Sequence, residues 1–379
     1  MGDPLAKRLL IVTGEASGDL HAARLVTALR AHGRFEARGV AGPRLRAAGV
    51  EALIDAERLA VLGFSEIVAK LPRLFATRRR LLETVDRWRP DGVVLVDYPG
   101  FNLRIGPLLK AHGARVFYYI APQVWAWHPE RAQAMARWVD RLAVVFPFEE
   151  PIFRDAGVSV RYVGHPLLDD FAPELDEAAF RAELGVPAAA RLVGLLPGSR
   201  RQEIHRHLGT LIESARALAA TRPDLHAVVA WPADLATRPP ELAGALPPWL
   251  HVVRGRTRSV QRWAGACAVA SGTATLETAL FGTPLAIVYR VGWLNYQIAR
   301  RLVSITHIGL PNIVAGSTVA PELIQHAFTP EALAATLAPW LDDAAAAARA
   351  RAGLAVVRER LGGPGASARA AAVLWELLA

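Results

Sequence analysis

The segment from Cys267 to Pro284 constrains the fold more than any other part of the chain. Its apolar start, Cys267 to Ala270, is typical of a buried strand, and Ala274 to Phe281 has the periodicity of a helix. A turn of small residues that opens a helix leaves backbone N–H groups free at the positive end of the helix dipole, which suits a phosphate. An ordinary capped helix after a strand fits this segment equally well, so its meaning depends on the rest of the chain.

The same alternation of apolar strand and helix-length segment recurs throughout the sequence. It predicts an α/β fold with two doubly wound parallel-sheet domains that face each other across a cleft. An acidic, proline-bounded segment after Pro166 is interpreted as the linker. We therefore expect an N-terminal domain at 1–168, completed by a C-terminal helix at 366–379 that packs back on it, and a second domain at 169–365. The predicted strands are Leu9–Val12, Asp91–Asp97, Arg115–Ala121, Arg141–Phe146, Val158–Val163, Leu192–Leu196, His226–Ala230, His251–Arg254, Cys267–Ala270 and Leu285–Tyr289.

Composition narrows the classes of partner. Apolar residues make up 52% of the chain and the net charge is +9, with a sequence pI near 10.3. This charge favours a phosphorylated substrate or an anionic membrane surface, and without a zinc-finger spacing or a Lys-rich tail we expect no nucleic-acid partner. The single cysteine, Cys267, excludes an intramolecular disulfide and a cysteine-based metal site. No apolar run reaches the ~18 residues of a transmembrane helix, which predicts a cytoplasmic protein with peripheral membrane contact at most.

A second phosphate-suited turn follows the first strand of the second domain. Arg200 ends the sequence Leu-Pro-Gly-Ser-Arg there, and an arginine at such a turn can meet a diphosphate bidentately. In the other turn, Glu277 lies one helical turn after Thr273, where a carboxylate can accept hydrogen bonds from a ribose. We predict a nucleotide-diphosphate site, although a solvated arginine at a common turn is the alternative. Its predicted residues are Arg200, Ser271, Gly272, Thr273, Glu277 and Asn312, the last of which could equally be a turn-forming asparagine.

Asp97 ends an otherwise apolar strand of the first domain. A carboxylate in such a place is costly unless it is used or paired, so we predict that Asp97 is a general base; a helix-capping role is the alternative. Glu15, Asp19 and His128 are rivals for this role. Glu15 lies at a predicted helix N-terminus that would hold it ionised, so it is assigned to positioning an acceptor hydroxyl.

The acceptor side is predicted from two loops of the first domain. Glu15 and Ser17 follow the first strand, and Trp125 and Trp127 follow another. Aromatic residues concentrated at a strand end suggest a substrate wall, although core packing accounts for either tryptophan singly about as well. No Asp-x-Asp pair stands at a strand end, and Arg200 with a helix N-terminus can stabilise a leaving diphosphate, so neither a metal nor a cofactor is expected.

The stretch from Val61 to Arg80 mixes apolar residues with positive charge and ends in Arg78, Arg79 and Arg80. A segment of this kind is most often a helix that packs on the core and exposes its basic face to solvent. The functional alternative is an interfacial helix that binds anionic lipid.

Together these motifs resemble one family, the lipid-A-disaccharide synthases of Gram-negative bacteria, which are glycosyltransferases of the GT-B fold. Some members carry a second acid where this chain has Gly100, so Asp97 is the only carboxylate of its motif here. Asp97 also lies where the family places an essential aspartate. The motifs that carry the resemblance, in the family's order and over nearly the whole chain, are Gly14–Asp19, Val96–Asn102, Pro122–Trp127, Phe146–Glu149, Gly164–Pro166, Leu196–Arg200, Ser271–Glu277 and Leu310–Asn312.

The resemblance implies an inverting transfer from UDP-2,3-diacylglucosamine to 2,3-diacylglucosamine 1-phosphate, giving a β-1,6-linked disaccharide 1-phosphate and UDP. It also implies a peripheral protein on the cytoplasmic face of the inner membrane and a homodimer that exchanges its C-terminal parts. Two alternatives stay open on the residues alone. One is another GT-B enzyme that uses a UDP-sugar, such as an N-acetylglucosaminyltransferase or a 2-epimerase. The other is a non-catalytic protein that binds a nucleotide sugar or a lipid.

Overall fold

The computed structural model describes residues 6–58, 66–125, 130–233, 235, 237, 239–292, 297 and 306–379, with the backbone alone at 58, 66–71 and 240. These residues form two compact units. The first unit runs to Asp170 and includes Gly363–Ala379, and the second is Phe171–Gly362. The chain therefore leaves the first unit and returns to it at its end.

The first unit is built on a seven-stranded sheet in the order β3-β2-β1-β4-β5-β6-β7, in which all pairings are parallel. The central strand β4 is buried along its whole length, as expected for a parallel sheet covered by helices on both faces. The strands are β1 (Lys7–Val12), β2 (Phe35–Ala41), β3 (Glu51–Asp55), β4 (Gly92–Val96), β5 (Val116–Tyr119), β6 (Arg141–Val144) and β7 (Val160–Tyr162).

The second unit has a six-stranded parallel sheet in the order β10-β9-β8-β11-β12-β13. The prediction of two α/β domains with parallel sheets is thus confirmed. The strands are β8 (Arg191–Leu196), β9 (Leu225–Trp231), β10 (Leu250–Arg254), β11 (Ala266–Ala270), β12 (Leu285–Tyr289) and β13 (Glu322–Ile324).

Helices of the described residues cover the sheets. Those of the first unit are α1 (Ala16–Leu29), α2 (Pro43–Ala47), α3 (Glu66–Trp88), α4 (Pro99–Ala111), α5 (Glu130–Met135) and α6 (Glu149–Asp155). Those of the second unit are α7 (Glu177–Leu184), α8 (Arg201–Ala219), α9 (Thr257–Trp263), α10 (Thr273–Leu280), α11 (Leu310–Ala315), α12 (Pro330–Asp342) and α13 (Ala344–Leu361). The last helix, α14 (Ala366–Leu378), belongs to the first unit.

Each sheet has one point at which its strand order reverses. In the first sheet it lies between β1 and β4, where Val12 pairs with Leu95, and in the second between β8 and β11, where Leu196 pairs with Val269. Ligands of open parallel sheets bind outside the carboxyl ends of the strands at such reversal points. The loops that carry Glu15, Asp97, Arg200 and Ser271 follow these four strands, whereas Trp125 follows β5 and Asn312 lies in α11.

Two differences from the sequence prediction have physical causes. The strands β2, β3 and β13 were not predicted, because they are edge or near-edge strands in which charged residues interrupt the apolar run, as Glu36 and Arg38 do in β2. The sequence after the first predicted strand predicts a helix from about Leu20 to His32, whereas helix α1 begins at Ala16. Its first turn carries Gly18, which packs directly on the side chain of Thr13, so tertiary contact overrides the low helix propensity of glycine.

The helix α14 is anchored to the first unit at its N-terminus. The carboxylate of Asp169 accepts hydrogen bonds from the backbone N–H groups of Gly365 (2.7 Å), Ala366 and Ser367 (both 2.9 Å). Burial raises the pKa of Asp169, but these hydrogen bonds outweigh it and the net pKa lies below the usual value. The Nε of Arg369 also donates to the carbonyl of Val163 at 2.7 Å. The end of the chain is therefore part of the first unit's packing.

Candidate active site

Asp97 follows β4 in a strained backbone conformation. Both Asp97 and Tyr98 have left-handed φ values, 48° and 49°, which non-glycine residues adopt only when their surroundings hold them. The carbonyl of Asp97 accepts hydrogen bonds from Nδ2 of Asn102 at 2.7 Å and from the hydroxyl of Tyr118 at 2.9 Å. The ring of Tyr98 lies directly against Gly14, where a Cβ would collide with it. The backbone at Asp97 and Tyr98 is thus held at the strand end by these contacts.

The surroundings of Asp97 favour its protonated form. Burial raises the pKa of this carboxyl to about 6, and the negative charge of Glu15 adds to the rise. A carboxylate with a pKa near the operating pH is well matched to accepting a proton from a hydroxyl in a transition state. The role of Asp97 as a general base stays a prediction with which this pKa is consistent.

The rival acids have different surroundings. Asp19 is buried, and its carboxylate accepts backbone hydrogen bonds from Gly42 (2.8 Å), Arg44 (2.9 Å) and Leu45 (3.2 Å), so it holds the loop before α2. Glu15 and Ser17 are exposed at the start of α1. His128 and Trp127 lie outside the described residues.

Trp125 is held by a buried carboxylate. Its indole N–H donates to Oε1 of Glu149 at 3.2 Å, and its ring packs edge-on against Phe148 with centroids 5.1 Å apart. The other oxygen of Glu149 accepts from the backbone N–H groups of Phe146 (3.1 Å) and Val145 (3.3 Å). Burial raises the pKa of Glu149 to about 7, although these hydrogen bonds lower it. The sequence shows Glu149 only as part of the motif Phe146–Glu149. Its contact with Trp125 could not be predicted, because residues 24 positions apart leave no local sequence pattern.

A pocket of about 310 Å³ in the second unit brings together the loops after β8 and β11. A pocket of this size is at the lower end of small-molecule sites. Gly198, Ser199 and Glu203 line it on the β8 side, and Ser271, Gly272, Thr273 and Glu277 on the β11 side. Two turns separated by more than 70 residues in sequence thus line one pocket.

The turn before α10 leaves room for a ligand. Gly272 is the N-cap residue with a φ of 152°, and no atom lies within 4 Å of the position that a Cβ would take there. The hydroxyl of Ser271 donates to the carbonyl of Ile308 at 3.0 Å, which fixes the turn. The first N–H groups of a helix have no acceptor one turn earlier, and those of α10 lie at the positive end of its dipole. Among them, the N–H of Thr275 donates to the carbonyl of Gly272 at 3.1 Å.

Glu277 lies deeper in the same pocket, with 17% of its side chain exposed. Burial raises its pKa, while Arg258 and Gln261 oppose the rise. Arg258 Nε is 3.4 Å from one carboxylate oxygen and Gln261 Nε2 is 3.5 Å from the other. Neither contact is short, so the carboxylate keeps capacity to accept hydrogen bonds from a ligand.

Arg200 stands at the rim rather than in the wall of the pocket. Its side chain is 78% exposed, and Nη1 is 3.3 Å from Glu203 Oε1. Glu203 was not predicted as a site residue; its other oxygen accepts from the backbone N–H groups of Ser199 and Arg200, both at 3.3 Å. This carboxylate three residues into α8 fixes the turn that carries Arg200, in the manner of a capping box.

Asn312 has a structural role in this structure. It is fully buried; its Nδ2 donates to the carbonyl of Ala320 (2.7 Å) and to Glu322 (2.8 Å), and its Oδ1 accepts from the backbone N–H groups of Val319 and Ala320. With the amide fully engaged, Asn312 orders the loop after α11 and has no group left for a nucleotide. We therefore leave it out of the proposed contacts.

His207 is a second buried residue that the sequence did not single out. Its Nδ1 contacts the carbonyl of Pro197 at 2.8 Å, and its Nε2 accepts from the backbone N–H of Arg290 at 3.0 Å. Burial lowers its pKa, which favours the neutral ring that this pattern requires. His207 thereby joins the loop after β8 to the loop after β12.

The described residues offer neither a metal-binding cluster nor a membrane-spanning helix. Among the described residues, no cluster of three or more His, Cys, Asp or Glu is arranged to hold a metal ion. Within the same ranges, no helix combines the length and apolar character needed to cross a bilayer. In α3, Phe75 is exposed and stands near the exposed Arg78, Arg79 and Arg80.

Solved structures with the same architecture define the class. The UDP-GlcNAc 2-epimerase from Neisseria meningitidis, bound to UDP-GlcNAc, is similar with a TM-score of 0.68 at 11% identity, over 97% of this chain and 100% of that one. A calicheamicin glycosyltransferase is similar with a TM-score of 0.60 at 18% identity, over 98% of both chains. At this identity the likeness shows the fold alone, which is that of the GT-B glycosyltransferases.

The family follows from sequence. The model of the family described as lipid-A-disaccharide synthetase matches residues 9–373. The lipid-A-disaccharide synthase of Geobacter metallireducens is 44% identical over 386 residues, covering 100% of this chain and 99% of the relative. That of Syntrophus aciditrophicus is 43% identical, with 98% of both chains covered. The chain belongs to the lipid-A-disaccharide synthase family, and it is a glycosyltransferase.

Proposed function

We propose that this enzyme transfers the sugar of UDP-2,3-diacylglucosamine to 2,3-diacylglucosamine 1-phosphate with inversion, forming a β-1,6-linked disaccharide 1-phosphate and UDP. The observation that carries the proposal is the family match over residues 9–373, in a chain whose Asp97 has the surroundings of a general base. Neither the donor nor the acceptor alone distinguishes this reaction from those of related enzymes. The proposal therefore depends on the identity of both substrates.

In the proposed mechanism, Asp97 accepts the proton of the acceptor's 6-hydroxyl as its oxygen attacks the anomeric carbon of the donor. The bond between that carbon and the diphosphate oxygen breaks on the opposite face, which inverts the configuration and releases UDP. Asn102 and Tyr118 hold the backbone of Asp97, so the position from which its side chain extends is set before substrate arrives. Glu15 and Trp125 contact the acceptor sugar in this proposal.

The donor's UDP is assigned to the pocket of the second unit. Its diphosphate would bind the N–H groups around Ser271, Gly272 and Thr273, with Arg200 closing from the rim. Glu277 would accept hydrogen bonds from the ribose hydroxyls. Negative charge that develops on the leaving diphosphate would then meet a helix N-terminus and a guanidinium, so we expect transfer without a metal ion.

The test is incubation of the purified enzyme with acylated and unacylated UDP-glucosamine donors and the acylated sugar phosphate, with mass analysis of the products. The proposal expects one disaccharide phosphate and one UDP per turnover, from the acylated donor, in buffer with or without EDTA. An epimerised UDP-sugar without disaccharide would indicate a 2-epimerase. Binding without UDP release would indicate a non-catalytic protein, and loss of turnover in EDTA that magnesium or manganese restores would contradict the metal-free step.

We further propose that the enzyme acts as a peripheral protein on the cytoplasmic face of the inner membrane, since both substrates carry acyl chains. The exposed side of α3, with Phe75 among arginines, supports this surface as the one that meets anionic lipid. A homodimer is the assembly that the family resemblance favours, and light scattering of the purified chain measures it.

A further inference from the structure

A groove of about 790 Å³ runs along the side of the first unit, apart from the residues assigned above. One wall is a stripe of α4 at helical spacing, with Pro99, Leu103 and Pro107 one turn apart. The other wall is α5 and the turn after it, where Ala134, Met135 and Trp138 face the same space. The ring of Trp138 lies directly on Gly106 of α4, which closes the floor between the helices. The result is a long groove with apolar walls.

The rim of this groove is basic. Arg104 of α4, Arg131 of α5 and Arg137 in the following turn line it and are exposed. Lys110 also lines it, with Nζ 2.6 Å from a carboxylate oxygen of Asp140. An apolar floor under a cationic rim complements a molecule with a hydrocarbon chain and a negative charge.

The groove begins beside the proposed base. Pro99 and Gly100, two and three residues after Asp97, line the groove at the N-terminal end of α4. No atom lies within 4 Å of the position that a Cβ of Gly100 would take. From Pro99 to Ala111 the α4 wall extends about 18 Å at the usual helical rise. A chain that enters next to Asp97 can therefore lie along the whole helix.

We propose that the groove between α4 and α5 binds an acyl chain of the acceptor, with its arginine rim facing the acceptor's negative charge. This inference rests on the proposed function, which supplies an anionic, acylated acceptor whose hydroxyl must reach Asp97. A second copy of the chain and a bilayer surface are alternative partners that an apolar groove can bind. The acyl chain is favoured because a channel about one helix long, open next to the base, matches a single chain attached to the reacting sugar.

The test compares Ala134→Trp, which fills the groove from an exposed helix position, with Gln133→Trp at the exposed neighbouring position of α5 that does not line it. Acceptors with long and with short acyl chains are used. Because each buried methylene contributes about fourfold in affinity, we expect Ala134→Trp to raise the KM for the long-chain acceptor at least tenfold. The KM for the short-chain acceptor and the affinity for UDP should not change, and Gln133→Trp should behave as wild type.

A second readout does not depend on turnover. A long-chain acceptor with a photoreactive group at the chain end should cross-link to Pro107 or Ala111, which line the groove at the end of α4 away from Asp97, and should lose this cross-link in Ala134→Trp. Equal KM values for the two tryptophan variants, or a cross-link confined to other elements, would overturn the proposal. So would a change of oligomeric state, or of vesicle binding alone, caused by Ala134→Trp. Absence of disaccharide from either acceptor with the wild type would instead overturn the proposed function, and the cross-link map would still test the groove.

Discussion

The two strand-order reversals of this protein carry loops of opposite character. After β4 in the first unit, the backbone takes left-handed conformations at Asp97 and Tyr98, which Asn102 and Tyr118 hold with side-chain hydrogen bonds. After β8 and β11 in the second unit, the positive φ values belong to Gly198 (117°) and Gly272 (152°). Strain is absorbed by side-chain contacts in one case and avoided by glycine in the other.

This difference fits two kinds of task. A single carboxylate that must take one proton benefits from being fixed before substrate binds, since misplacement of a reacting group costs rate. A diphosphate is recognised by several N–H groups at once, so its loops need open space and unused donors more than rigid side chains. The comparison predicts that changes at Asp97 act on kcat, whereas changes at the turns of the second unit act on donor affinity.

The largest expected effect is that of Asp97→Asn, which keeps the shape of the side chain and removes the base. We expect kcat to fall by on the order of 10²- to 10⁴-fold, with UDP affinity nearly unchanged by titration calorimetry. Asp91→Asn is the control, because Asp91 is exposed at the other end of β4 and accepts a hydrogen bond from the backbone N–H of Arg8. A wild-type kcat in Asp97→Asn would transfer the role of base to Glu15.

The next largest effect is expected for Arg200→Ala, which removes the guanidinium at the rim of the donor pocket. Loss of a charge pair that the diphosphate desolvates costs on the order of 2 kcal/mol, so UDP should bind about 30-fold more weakly. Arg201→Ala, one residue further along in an exposed position, should bind UDP normally. If both variants bind UDP like the wild type, Arg200 does not contact the diphosphate.

The pH profile sharpens the contrast further. Because the ionised form of Asp97 is the base and its pKa is about 6, kcat/KM should fall as the pH drops below that value, by about tenfold per unit. Glu15→Gln removes a negative charge that raises this pKa, so the inflection should move to lower pH. Because Glu15 is proposed to contact the acceptor, its effect on the plateau is measured as kcat at saturating substrate, which should stay at the wild-type level at higher pH. A plateau lost in Glu15→Gln at saturating substrate would contradict the assignment.

A smaller effect is expected for Glu277→Gln. The amide can still accept one hydrogen bond from a ribose hydroxyl but loses the charge that strengthens it, so the Kd for UDP should rise by roughly tenfold with little change in kcat. Glu213→Gln on the exposed part of α8 is the control. Normal binding with abolished turnover would show that Glu277 has a catalytic rather than a ribose-binding role.

The smallest effect on catalysis is expected from charge reversal of Arg78, Arg79 and Arg80. Turnover of detergent-dispersed substrates should stay at the wild-type level, while binding to anionic vesicles should weaken, most clearly at low salt. The matched control reverses Arg349, Arg351 and Arg358, three exposed arginines of α13. Equal loss of vesicle binding in both variants would mean that net charge, rather than the α3 surface, drives association.

The sequence predicted the strands that carry the site because their apolar runs are long and their turns are rich in small residues. It placed Asp97, Arg200 and Ser271 at strand ends, and the structure brings the last two turns to one pocket. It could not show that Asp19 holds the loop before α2, or that Glu149 holds Trp125, because both depend on side-chain contacts across more than twenty residues. Nor does a sequence reveal that the amide of Asn312 is consumed by its own loop.

The return of α14 to the first unit has a consequence for biosynthesis. Leu378 packs on Gly92 of β4 and Trp375 on Gly33, so the first unit lacks part of its packing until α14 has been synthesised. At 5–20 residues per second, a ribosome needs roughly 10 to 40 seconds to add the second unit in between. During that interval, the surface of the first unit on which α14 packs stays exposed in the nascent chain. Early termination of translation within α14 would therefore damage the unit that was synthesised first.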